Sequence, residues 1–129
     1  MSESAVKPRR VLSVGQCFAD HSSIARVFRT SFGAEVVAAD SSRDALEQLR
    51  QETFALVLVN RVLDADGSSG LDLIRAIKTE DELRAVPVML VSNYDEAQAQ
   101  AVQAGAAPGF GKAALGQPHM LARVEPYLR

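Results

Sequence analysis

The sequence predicts an α/β domain built on one doubly wound five-stranded parallel sheet with helices on both faces. Three observations carry that expectation. Five short runs rich in β-branched and apolar residues alternate with segments of helical period. The third and fourth runs are almost unbroken in apolar residues, as strands covered by helices on both faces require. A chain of 129 residues can bury one sizeable core but not two. Strand twist then makes the crossovers right-handed.

Residues 1–9 read as a flexible polar tail, with Pro8 discouraging regular structure, and residues 10–129 as the domain. The strands are expected at 11–14, 34–38, 54–59, 86–91 and, weakly, 107–111. The first helix, over 20–32, places Ile24, Val27 and Phe28 on one face and stops at Gly33. The second opens at Ser41-Ser42, a serine serving as N-cap, and turns Ala45, Leu46 and Leu49 inward while Arg43, Glu47, Gln48 and Arg50 stay wet. The third, over 71–79, buries Leu71, Ile74 and Ile77, or Leu73 in place of a neighbour. The fourth, over 94–104, is mostly Ala and Gln with Val102 as its largest aliphatic residue, so it is expected to be the most loosely anchored. The fifth, over 118–128, starts on a proline, and Pro126 is expected to kink or close it.

Fourteen basic and sixteen acidic side chains leave a formal charge of -2, which offers no electrostatic footprint for nucleic acid or an anionic membrane. Cys17 is the only cysteine, which excludes an internal disulfide and fits a reducing cytoplasm. There is no signal-peptide pattern at the start, and no apolar run approaches the roughly 18 residues of a membrane span.

In doubly wound sheets the ligand site lies outside the carboxyl ends of the strands. That puts Gly15, Gln16 and Cys17 after the first strand, Asn60 and Arg61 after the third, Ser92 and Asn93 after the fourth, and Lys112 after the fifth around one shallow mouth. The chain resembles the receiver domain of two-component response regulators from about Arg10 to its end. The resemblance rests on the apolar strand ending at Asn60, the helix start Gly70-Leu-Asp-Leu-Ile74, Val86-Pro-Val-Met-Leu-Val-Ser92, the Ala104-Gly-Ala106 step and Lys112. It implies a flavodoxin-like (βα)5 architecture.

In that family a pair of acids after the first strand and an aspartate after the third hold magnesium, and the aspartate accepts a phosphoryl group. The matching positions here are Gly15, Gln16 and Asn60. A hard divalent cation needs charged oxygen ligands, and an amide is a very poor nucleophile, so three neutral residues argue against phosphotransfer. Ser92 and Lys112 match the family's hydroxyl and lysine but lack their usual partners. Lys112 is expected to donate to Asn60 and Gln16, or to an acid on the loop, as a structural peg. Gly109 stands where the family's switching aromatic lies, and Ala113 replaces the proline that follows the lysine.

The resemblance therefore implies a degenerate, pseudo-receiver domain: not an enzyme, with no cofactor and no metal, acting through a protein partner such as a sensor kinase or downstream effector. A homodimer is a further arrangement it allows. The expected contact face is formed by the fourth helix, fifth strand and fifth helix. With no output segment after Arg129, it would act alone or as a piece of a longer regulator.

Two alternatives stay open. Asp64 or Asp66 could serve as a substitute phosphoacceptor, although Asp-Ala-Asp-Gly is ordinary turn chemistry and lacks calcium-loop spacing. Cys17, at a helix N-terminus, could be a redox-sensing thiol. Asp20 and His21 read as helix-start capping. Against a flavin or nucleotide site, Gly15-Gln-Cys-Phe-Ala lacks a glycine-rich fingerprint.

Overall fold

A computed structural model describes residues 9–129. The apolar runs form β1 (Arg10–Val14), β2 (Glu35–Ala39), β3 (Leu56–Asn60), β4 (Val88–Val91) and β5 (Ala107–Phe110), each followed by a helix. These helices are α1 (Phe18–Phe32), α2 (Ser42–Gln51), α3 (Gly70–Thr79), α4 (Asp95–Gln103) and α5 (Pro118–Leu128). The sheet is parallel throughout, in the order β2-β1-β3-β4-β5.

Alternation along the central strand explains why its sequence is apolar without a break. Val57 and Val59 point into one core with Ala45 and Leu49 of α2, Leu73, Ile74 and Ile77 of α3, and Ala101 of α4. Leu56 and Leu58 point into a second core with Ile24 and Phe28 of α1 and Met120, Val124 and Leu128 of α5. Burying a side chain of this size stabilises the fold by about 1.5–3 kcal/mol before entropy is counted. Phe110 belongs to the second core, 6.5 Å from the Phe28 ring.

Helix ends follow local chemistry. Ser41 and Ser69 accept the backbone N–H groups of Asp44 and Asp72 at 3.1 and 3.2 Å, capping α2 and α3. Gly33 closes α1 at φ 64°, a left-handed conformation that suits glycine. α1 begins two residues earlier than expected, at Phe18, with Cys17 in the N-cap position.

Several expectations change. Gln48 is half-buried and donates to the Ala38 carbonyl (3.1 Å), so it is not simply wet. Val102 is 43% exposed and does not anchor α4, whose buried apolar residue is Ala101. Pro126 lies inside α5, and the helix runs on to Leu128. A short 3-10 turn at Lys112–Ala114 follows β5. The expected tail lies outside the described residues except for Arg9. That residue's carbonyl accepts from Glu35 N (2.8 Å), and its guanidinium binds the Arg129 carbonyl (2.7 and 3.1 Å). Arg9 is thus bonded both to β2 and to the carboxyl end of α5. Among the described residues no helix is long and apolar enough to cross a membrane.

Candidate functional site

β3 delivers Asn60 to the carboxyl edge of the sheet, half-buried, beside the loop that leaves β1. Its amide has one orientation compatible with its neighbours. Nδ2 donates to the carbonyl oxygens of Gly15 (3.0 Å) and Val62 (2.8 Å), while Oδ1 accepts from Arg61 N (3.1 Å). Both amide hydrogens are thus spent on backbone acceptors, and the side chain ties the β1 loop to the β3 loop. A carboxylate could not make these bonds, and it would face two carbonyl oxygens instead.

Gly15 adopts φ 77°, and a Cβ built on it would meet Leu63 Cδ2 at 2.3 Å. Leu63 is fully buried although it belongs to a loop, with its N–H bound to Ser68 O (2.9 Å). An isolated antiparallel bridge between Val62 and Ser69 stiffens the same loop. The space beside the first acid position therefore holds an aliphatic side chain.

Gln16 is 9% exposed, and neither of its polar side-chain atoms has a protein hydrogen-bond partner. It lines a hollow of about 290 Å³ shared with His21, Asp40 and Asp64. Asn60, Ser92 and Lys112 instead line a neighbouring cleft of about 260 Å³ with Arg61, Asn93 and Tyr94. The expected single mouth is thus divided: Asn60, Ser92 and Lys112 come together, while Gly15, although its carbonyl accepts from Asn60, lines the other hollow with Gln16.

Lys112 is turned toward α1. Its Nζ lies 2.6 Å from Asp20 Oδ2, so the expected donation to Asn60 and Gln16 is replaced by an ion pair with a helix acid. The Lys112 ammonium holds the Asp20 carboxyl below its ordinary range, against the opposing effect of burial and with further help from the Cys17 thiol. Asp20 is therefore an ion-pair partner, and its reading as a helix cap with His21 does not hold.

The far wall is held by side-chain bonds to backbone. Ser92 Oγ accepts from Tyr94 N (3.1 Å), and Asn93 Oδ1 accepts from Ala113 N (3.2 Å), a bond that proline at 113 could not supply. Gly111 packs so closely on Asn93 that a Cβ would fall 1.8 Å from its Oδ1. The Arg61 guanidinium sits 5.0 Å from the centre of the exposed Tyr94 ring.

These residues do not fit a magnesium ion. Glycine has no side-chain ligand, Leu63 fills the adjoining space, Gln16 faces another hollow, and Asn60 points amide hydrogens at carbonyls. Among the described residues no group of three His, Cys, Asp or Glu side chains is placed to hold a metal. Asp66 is committed to its own turn through Ser68 N (2.9 Å) and Ser68 Oγ (2.6 Å), which lower its pKa. Asp64 faces the hollow of Gln16 and not the cleft of Asn60. Sequence reasoning missed Leu63 and the role of Asp20; an apolar pair, Val62-Leu63, inside an otherwise polar loop was the available signal for the first.

The profile of the response regulator receiver domain matches residues 18–124. The transcriptional regulatory protein ZraR of Escherichia coli K12 is 34% identical over 89 residues, 67% of this chain and 19% of that protein's length. The chain thus spans under one fifth of this curated relative. Among solved structures, a Chloroflexus aurantiacus protein assigned to the response regulators superposes with a TM-score of 0.83 at 22% identity, covering 94% of this chain and 98% of that one. The Vibrio cholerae chemotaxis protein CheY4 gives 0.69 at 16% identity over 93% and 95% of the two chains.

Proposed function

The chain belongs to the receiver-domain family of two-component response regulators, and we propose that it is a pseudo-receiver that signals by protein-protein contact without accepting a phosphoryl group. The observation that carries this reading is the bonding of Asn60. Its amide hydrogens are engaged by Gly15 O and Val62 O, so the residue at the acceptor position is a structural tie. Leu63 beside Gly15 supports the same reading, because an aliphatic wall where charge would be needed disfavours a divalent cation.

On this reading the domain is not an enzyme. Its partner is a sensor kinase or a downstream effector, engaged through α4, β5 and α5. No observation favours Asp64, Asp66 or Cys17 as a substitute, since the two acids face away or are tied and Cys17 is a lone half-buried thiol.

The test is incubation with magnesium and acetyl phosphate followed by intact mass measurement, with amide spectra recorded in beryllofluoride. The expected result is an unchanged mass and unchanged spectra. A single acid-labile phosphoryl adduct would overturn the proposal.

A further inference from the structure

The junction of β4 and β5 departs from a regular ladder. Met89 pairs with Ala107 and Val91 with Phe110, so two steps on β4 face three on β5. Within the extra step Pro108 has no N–H to give. Gly109 turns its own N–H away from β4, donating it to Oε1 of Gln98 on α4 (3.1 Å). The Nε2 group of the same side chain donates to Leu90 O on β4 (2.9 Å) and to Ser92 O (3.1 Å), with a longer contact to Phe110 O (3.4 Å).

We infer that the Gln98 carboxamide acts as an inserted peptide group, which completes the β4–β5 ladder and locks α4 onto it. Donor and acceptor run in the sense of a backbone amide: Gly109 N–H to Oε1, then Nε2–H to Leu90 O. Gly109 is part of the device, because a Cβ there would lie 2.1 Å from Leu90 O and 3.0 Å from Gln98 Oε1. Arg123 of α5 closes the other side through its hydrogen bond to Gly109 O. The apolar packing of α4 itself is modest: Ala101 is its buried residue, Ala97 packs partly on the core, and Val102 is 43% exposed. Where the family places a movable aromatic, this chain has a static hydrogen-bonded plug.

The consequence for signalling rests on the pseudo-receiver reading: the α4–β5–α5 face is presented in one conformation and does not await a phosphoryl signal. The lock itself is tested separately. In Gln98→Met the side-chain volume is kept while Gly109 N–H and Leu90 O lose their partners. Hydrogen exchange followed by NMR should be about tenfold or more faster for Ala101, Gly105, Gly109 and Phe110, with α2 amides unchanged. Gln98→Glu should do the same at neutral pH, as a carboxylate would face three carbonyl oxygens, and protonating it should restore part of the protection. Exchange at α4 and β5 matching the unmodified protein in Gln98→Met would overturn the lock. That outcome would leave the phosphorylation result untouched, so the two proposals fail independently.

Discussion

The two halves of the sheet are held together by different means. Across β2, β1 and β3 the register runs without interruption, and the ladder is made of backbone alone. Between β4 and β5 the register shifts; the Gln98 side chain bonds to both strands, Arg123 holds β5 to α5, and Asn93 ties the loop after β4 to the turn after β5. The difference bears on where, under the pseudo-receiver proposal, this domain departs from its family. In the first half Leu63 packs against Gly15 and the Asn60 amide ties two loops, at the positions where the proposal sets the family's charged site. In the second half, where the family places a switching aromatic, the chain carries Gly109 with hydrogen bonds to Gln98 and Arg123.

The contrast breaks most visibly at Leu63. If the first half depends on apolar filling beside Gly15, Leu63→Ala should lower unfolding stability by about 2–5 kcal/mol in urea. Gly15→Ala should also destabilise, by overpacking and by its left-handed backbone, but less so in the Leu63→Ala background than alone. Additive effects of the two changes would show that Leu63 does not fill that space.

Much of the first half was legible in the sequence. The unbroken apolar run at 56–59 and helical spacing of Ile24, Phe28, Ala45 and Leu49 reflect burial, which leaves a local pattern. Asn60 was legible for the same reason, as the polar residue that ends an apolar strand. The partner choices were not. Lys112 pairs with Asp20, 92 positions away in a chain where other acids were equally plausible, and Gln98 lies in a run of Ala and Gln with nothing to mark it. Ion pairs and amide bridges depend on tertiary geometry, which no periodicity encodes. Gln16 was misplaced because the loop that leaves β1 turns it, together with Gly15, toward the hollow of Asp40 and Asp64 and away from the cleft of Asn60.

The smallest expected effect belongs to the link between the site and α1. Asp20 and Lys112 are 37% and 36% exposed, so solvent screening keeps their pair weak. Asp20→Asn should cost no more than about 1 kcal/mol at neutral pH. Because the folded-state carboxyl is held below its ordinary value, the pair contributes above the unfolded pKa and is lost as pH falls through the lowered one. The gap between this variant and the unmodified protein should therefore close in acid. Urea midpoints compared at neutral and acid pH check it, and a gap that widens in acid would reverse the assignment.

The central claim is that this site is closed by its own packing and hydrogen bonds and does not merely lack a nucleophile. Phosphorylation of Asn60→Asp tests it most directly, by intact mass after incubation with magnesium and acetyl phosphate. With Gly15, Gln16 and Leu63 unchanged, the account predicts a folded variant that gains no phosphoryl group. A stoichiometric adduct on Asp at that position would contradict it, showing that a carboxylate was all the site had lost.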